Sequence, residues 1–309
     1  MNISLECGQK HWTNSKKSVK EMDSHSVNTL TNAIYPCLWF DGNAKEAAEF
    51  YCAVFSDSSI VDENSMVITF ESKGQRFMCL NGGPMFKFTP AISFYTSIPN
   101  EAELQSVWDR LIENGRALMP MDSYPWSKKY GWVQDKFGVT WQLTLDKTEN
   151  SSQKFIPALM FSGTNFGQAE GAINFYSDIF ADSSTKLISR YGPDDSNGQD
   201  GKINHAQFEL NGQLFAVMDS AIVHDFDFNE AVSFVVECKD QKQIDYFWES
   251  LSKGGAESQC GWLKDKFGVS WQIVPEILSE LMSDPERSGR VVQAFMKMKK
   301  FDIETLKNA

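Results

Sequence analysis

The sequence predicts an α+β fold written twice in tandem. Each copy is expected to contain two βαβββ modules, which build a mixed sheet covered by helices. Two observations carry this. Residues 131–143 face residues 261–273, and nine of the thirteen aligned positions are identical. Two further anchors recur in the same order: Phe50-Tyr51 and Phe55 match Phe175-Tyr176 and Phe180, and Ala91-Ile92-Ser93-Phe94 matches Ala231-Val232-Ser233-Phe234. Three anchors in the same order are the signature of duplication, with insertions between them.

The elements follow from hydrophobic periodicity. Ile34–Phe40 is an apolar run of strand length, and Lys45–Phe55 is helical, with Ala44, Ala47, Ala48, Tyr51 and Phe55 on one stripe. Met66–Glu71 and Arg76–Leu80 are strands around a turn at Lys73-Gly74, and Ile92–Ser97 is the next strand. Glu101–Glu113 is a helix whose Leu104, Val107, Trp108 and Leu111 face inward, with Gly115 as its C′ residue. Two strands meeting at Phe137-Gly138 close the copy. The second copy repeats the pattern, with Ile244, Phe247, Trp248 and Leu251 as its second helical stripe. Copy one alone carries the insertion Met121 to Tyr130, and copy two has a longer loop from Tyr191 to Gly201. Residues 33–149 and 154–276 are the two expected domains, after a disordered polar lead of 1–32. A helical tail of 277–309 follows the second copy. Helix Pro275–Met282 runs into it, and Asp284 is placed to cap the next helix with Pro285 at N1. Val291, Val292, Phe295, Met296 and Met298 form that helix's stripe, with Lys297, Lys299 and Lys300 near its negative end.

Composition narrows the function. The net charge of −12 and the lack of a basic stripe argue against nucleic acid as a partner. No apolar run reaches the ~18 residues of a membrane span. The lead has Lys10, Lys16, Lys17 and Lys20 but no apolar core, unlike a signal peptide. Six cysteines with no CxxC pair read as a reduced, cytoplasmic protein.

Several segments resemble the PhnB-like group of the vicinal oxygen chelate (glyoxalase/bleomycin-resistance/dioxygenase) superfamily, whose members often carry the label 3-demethylubiquinone 3-methyltransferase. They are Leu38-Trp39-Phe40-Asp41-Gly42-Asn43, Leu80-Asn81-Gly82-Gly83-Pro84, residues 260–275 and the tail Met298–Ile303. The resemblance covers about residues 34 to 306 and implies a curved mixed sheet with helices on the convex face, a cup whose concave face holds the ligand. Units of this superfamily usually pair, so the two copies are expected to pair within the chain, with a homodimer through equivalent faces as the alternative.

Strand alternation selects the cup residues. In the last strands, Val139, Trp141 and Leu143 form the apolar face, so Gln142, and by the same logic Gln272, points into the cup. His205, Gln207 and Glu209 share one face in copy two, matched by Val67, Thr69 and Glu71 in copy one. Metal-dependent relatives place His or Glu on four strands of such a cup. The resemblance puts those positions at Pro36 and Pro157, near Ser93 and Ser233, and at Gln142 and Gln272. These side chains are poor ligands for a divalent ion, so no metal or other cofactor is expected. Trp126, Trp132, Phe86, Trp262, Phe226 and Phe228 are candidate walls or lids, whereas Trp141 and Trp271 read as core. Cys260 reads as a packed thiol, and His224 as a loop residue. The favoured function is binding of a small, partly apolar molecule in a metal-free cup. The alternatives are a lyase-, isomerase- or dioxygenase-like enzyme with a metal or rebuilt site, a methyltransferase, and a non-catalytic scaffold.

Overall fold

The computed structural model describes residues 30, 34–146, 155–194, 199–222 and 224–309. The expectations for the polar lead and for the linker between the copies lie outside these residues, except that Leu30 is buried in the core.

Four modules follow one another. The first holds β1 (Tyr35–Phe40), α1 (Ala44–Val54), β2 (Ser58–Glu63), β3 (Val67–Ser72) and β4 (Gln75–Asn81). The second holds β5 (Ile92–Ile98), α2 (Glu101–Ile112), β6 (Arg116–Tyr124), β7 (Ser127–Gln134) and β8 (Thr140–Leu145). The third holds β9 (Phe155–Phe161), α3 (Ala169–Ile179), β10 (Ser183–Arg190), β11 (Ile203–Leu210) and β12 (Gln213–Asp219). The fourth holds β13 (Val232–Cys238), α4 (Gln241–Ser252), β14 (Ala256–Glu257), β15 (Trp262–Lys264) and β16 (Ser270–Pro275). The tail adds α5 (Ile277–Ser283), α6 (Ser288–Phe295) and α7 (Ile303–Lys307). Among the described residues no helix is long and apolar enough to cross a membrane.

The modules are those expected, but they exchange partners between copies. The first sheet runs β14-β15-β16-β13-β1-β4-β3-β2 and joins modules one and four. The second runs β10-β11-β12-β9-β5-β8-β7-β6 and joins modules two and three. The seams are antiparallel: β1 pairs β13 with Cys37 opposite Ser233, and β5 pairs β9 with Ser93 opposite Ala158. Each sheet is therefore written half in each copy, not wholly within one as the repeat suggested. The physical reason is burial. The two modules of one copy press their helix-side faces together instead of aligning edges. Phe77 of β4 packs on Phe94 of β5 (ring centroids 5.4 Å apart), and Tyr51 of α1 packs on Trp141 of β8 (5.2 Å). One continuous aromatic core results. The approximate two-fold is visible in a buried contact between equivalent residues, Gln75 Nε2 donating to Gln213 Oε1 at 2.8 Å. With the helix-side faces turned inward, the other two sheet faces look outward on opposite sides of the molecule.

Differences in detail have local causes. The second strands, β2 and β10, were not placed from sequence. They are sheet edges with mostly exposed side chains, so they lack the apolar alternation that marks a half-buried strand. The residue in left-handed conformation after α2 is Asn114 (φ 60°), not Gly115, and after α4 it is Gly254 (φ 80°). Gly115 and Gly255 are required for close approach: a Cβ would lie 2.3 Å from the Gln134 carbonyl in one copy and 2.0 Å from the Lys264 carbonyl in the other. Gly255→Ala is expected to cost roughly 3 kcal/mol by overpacking against backbone that cannot yield, measured as the shift in the urea midpoint. In the tail, Asp284 Oδ1 accepts the Glu286 N–H at 2.9 Å, but it caps a turn and the helix starts only at Ser288. Val291 is buried in α6 and Met296 is 60% exposed, so the apolar stripe is narrower than expected. Lys297, Lys299 and Lys300 lie beyond the end of α6, and Lys300 pairs with Asp245 of α4 at 2.6 Å.

Candidate functional site: two outward cups

Alternation assigns the outward faces. On β1, Leu38 and Phe40 join the core, while Tyr35 and Cys37 form a separate small cluster with Val235 on the other face. On β9, Ile156 and Ala158 do the same with Ala216. The expected first-strand position was one residue out of register: Pro36 lies opposite Phe234 and Pro157 opposite Phe94, both core rings. The cup residues there are Cys37 and Ala158.

Each cup has a neutral polar floor at its seam. In the second sheet, the Tyr130 hydroxyl donates to Gln142 Oε1 at 2.8 Å, and Gln142 Nε2 donates to Ser93 Oγ at 2.7 Å. In the first, Gln272 Nε2 donates to Ser233 Oγ at 2.9 Å, and the Cys37 side chain lies beside both residues. Gln142 and Gln272 are each 6% exposed, so these floors are deep. Burial pushes the Cys37 thiol up to about 12, which keeps it protonated and a poor nucleophile or metal ligand.

Module exchange redistributes the candidates. Ser93, Gln142, Trp126 and Trp132 of copy one share the second sheet with His205, Gln207 and Glu209 of copy two, while Glu71 joins Ser233, Trp262 and Gln272 in the first. His205 stands four strands from Gln142, about 19 Å along the sheet. Burial lowers its pKa, so it is neutral near pH 7, and its Nε2 lies 3.3 Å from Gln207 Nε2. Glu209 is tied to Lys186 at 3.0 Å and Glu71 lies 3.9 Å from Arg76, so both belong to rim ion pairs. Phe228 is core, edge-on to Phe161, rather than a wall. Phe226 stacks on His224, and Phe86 packs edge-on against Trp39. Cys260 is half-buried, with burial raising its thiol pKa and its Sγ 3.7 Å from the Phe295 carbonyl.

The most strongly repeated motif has a structural explanation. Asp135 accepts from Tyr51 Oη and Trp141 Nε1, both at 2.9 Å, and from the Phe137 and Val139 amides at 2.9 and 3.0 Å. Asp265 repeats the clamp with Tyr176 (2.7 Å), Trp271 (2.9 Å), Phe267 and Val269. The aspartate thus ties helix, turn and last strand together and sets the register that points the next glutamine outward. Asn81, from another shared motif, serves α1: its Oδ1 accepts the Ala44 N–H at 2.9 Å, as Asp219 does for Ala169 of α3 at 3.1 Å. Sequence reasoning missed Tyr130 and Cys37 as floor residues. Alternation from Trp132 reaches Tyr130, whereas Cys37 needed the strand register.

Neither floor suits a divalent ion. One seam offers Cys37, Ser233 and Gln272 and the other Ala158, Ser93 and Gln142, with no carboxylate or imidazole in either set. Among the described residues no three His, Cys, Asp or Glu side chains converge on one point.

Comparison with known proteins agrees with the architecture. The family model described as 3-demethylubiquinone-9 3-methyltransferase matches twice, at residues 32–144 and 153–274. The PhnB protein from Bacillus cereus is 42% identical over 36% of this chain and 98% of its own, with a TM-score of 0.33. Glyoxalase I from Zea mays is 11% identical over 82% of this chain and 96% of its own, with a TM-score of 0.55, a likeness of fold alone. No curated protein matches the sequence. With both matches falling on the duplicated modules, and together covering most of its length, the chain belongs to the PhnB-like 3-demethylubiquinone-9 3-methyltransferase family and has the tandem glyoxalase-type fold.

Proposed function

We propose that this chain binds a small, partly apolar molecule on an outward cup, without a metal ion. The relay Tyr130–Gln142–Ser93 carries the reading. It is a buried chain of neutral donors and acceptors, preorganised by the Asp135 clamp, at the register where the resemblance places metal ligands. Such a floor orients an uncharged polar group while the surrounding apolar side chains supply contact area. The family name denotes methyl transfer, which requires S-adenosylmethionine, but the Gly82-Gly83 pair is not an open glycine turn between a strand and a helix. A Cβ at Gly82 would overlap the Trp39 ring, and the Gly83 carbonyl accepts Trp39 Nε1 at 2.7 Å.

The test is a thermal-shift screen of small uncharged compounds, followed by calorimetry with the hits. Chelator treatment is expected to leave affinity unchanged, and Gln142→Ala to weaken it about tenfold, roughly 1.4 kcal/mol. Stoichiometric metal whose removal abolishes binding would overturn the reading.

A further inference from the structure

We infer that the two cups are not equivalent. The cup of the second sheet, beneath the Trp126 hairpin, takes the ligand, and that ligand is a neutral planar ring system bearing a carbonyl-type acceptor. This rests on the metal-free small-molecule reading above and names its site and ligand class.

The strand register allows a position-by-position comparison of the cups. Where the first sheet sets Cys37 beside Met78, the second sets Ala158 beside Ala216. Where the first sets Trp39 beside Leu80, the second sets Met160 beside Met218. In the first cup the Trp39 ring packs edge-on against Trp262 (5.8 Å) and Phe86 (5.0 Å), so indole and phenyl rings fill the space beside Gln272. In the second cup Trp132 holds the place of Trp262, opposite Gln142, yet among the described residues no ring packs on it. Two alanines and the missing indole take bulk from this cup, while Tyr95, in the place of Val235, packs against the alanines.

Charge separates the cups as well. The outward face of the first sheet carries Arg76, 3.6 Å from Glu237 and over the Tyr35 ring. On the second sheet, β5, β8, β9 and β12 place no charged side chain outward, since Asp219 is buried on the helix side as a cap. At this seam an ionised ligand would find no counter-charge; the exposed Lys128, on the face of β7 that carries Tyr130 and Trp132, lies farther out toward the hairpin tip.

The acceptor and the planar shape come from the hairpin side. Trp132 Nε1 is buried, and among the described residues no acceptor is in reach. An unpaired buried N–H is costly, and a ligand carbonyl would satisfy it. In the turn between β6 and β7, Trp126 is 64% exposed and stacks on Tyr124 (5.1 Å, 22° between planes). Both rings meet Tyr130 edge-on, and Tyr130 is held by Gln142. The flat faces of Tyr124 and Trp126 thus stand at the rim of the neutral floor. The fold does not need this hairpin: the fourth module closes with strands of two and three residues in its place.

Isothermal titration of the full chain with coumarin, a neutral planar lactone, tests this, with camphor as a non-planar carbonyl of similar size. Expected are one coumarin per chain, at least tenfold weaker binding of camphor, at least tenfold loss on Trp126→Ala and abolition by Ala216→Met, which copies Met78. Two sites per chain, or affinity indifferent to both substitutions, would overturn the inequivalence of the cups. Camphor binding as tightly as coumarin, or neither binding, would overturn the ligand class. Trp126→Ala converting a dimer to a monomer with coumarin binding intact would show that a second copy covers the hairpin, and would equally overturn it. If Ala216→Met does not fold, Met160→Trp, which copies Trp39, and the exposed Trp126→Ala decide. A chelator-sensitive affinity would instead sink the metal-free reading itself, so the two failures are distinguishable.

Discussion

Asp135→Ala is expected to cost about 3–5 kcal/mol of folding stability, and Asp265→Ala a similar amount, because each substitution strands four buried donors at once. In a chain of this size the melting temperature should drop by roughly 10 °C. A change within experimental error would mean that the repeated motif is not a clamp. The same carboxylate predicts a pH dependence. Burial pushes Asp135 up to about 6, the four donors pulling the other way without prevailing. Unfolded, the group titrates near an ordinary ~3.9. The native state therefore holds a proton that the unfolded chain releases. Stability from this group is full below about pH 4 and is lost as the pH rises through about 6, at most ~3 kcal/mol in all. Burial shifts Asp265 in the same direction. The Asp135 carboxyl carbon resonance should titrate near pH 6, and Asp135→Asn should remove its share of the slope. A midpoint in the ordinary carboxylate range would contradict this account.

Residues 33–149 produced alone are expected to form a homodimer rather than a monomer. In the full chain β1 leans on β13 and β5 on β9, so one copy alone exposes two long apolar sheet edges. A second molecule of the same copy offers the missing first strands in the same antiparallel register, closing both sheets at once. Sedimentation of the half-chain checks this. A stable, well-folded monomer would show that the exchange of modules is not needed to satisfy those edges. The Gly255→Ala overpacking, the chelator-indifferent affinity and the coumarin titration complete the expected results.

Much of this architecture was legible in the residues. The motif Asp-Lys-Phe-Gly-Val, followed by Thr or Ser, Trp and Gln, was recognisable as a repeat because its aspartate, glycine and tryptophan each satisfy a local requirement: four donors, a positive φ and a buried ring. The outward direction of Gln142 and Gln272 followed from period-two alternation against Trp141 and Trp271, which are fully buried. What alternation could not reach was a position beside a proline at the seam, where Cys37 and not Pro36 faces outward. A continuous apolar run carries no phase, and only the pairing with Ser233 supplies one.

The amino-acid order by itself determined the duplication, the four modules and the faces of those strands that alternate apolar with polar residues, because these depend on local pattern. Which module joins which was decided by the tertiary structure. Edges of equal shape are offered by both copies, and the choice is made by the long-range burial of Phe77 against Phe94 and of Tyr51 against Trp141. That choice also set the company each cup residue keeps, bringing Gln142 of one copy and Ala216 of the other to a single cup, a combination absent from any local stretch of chain.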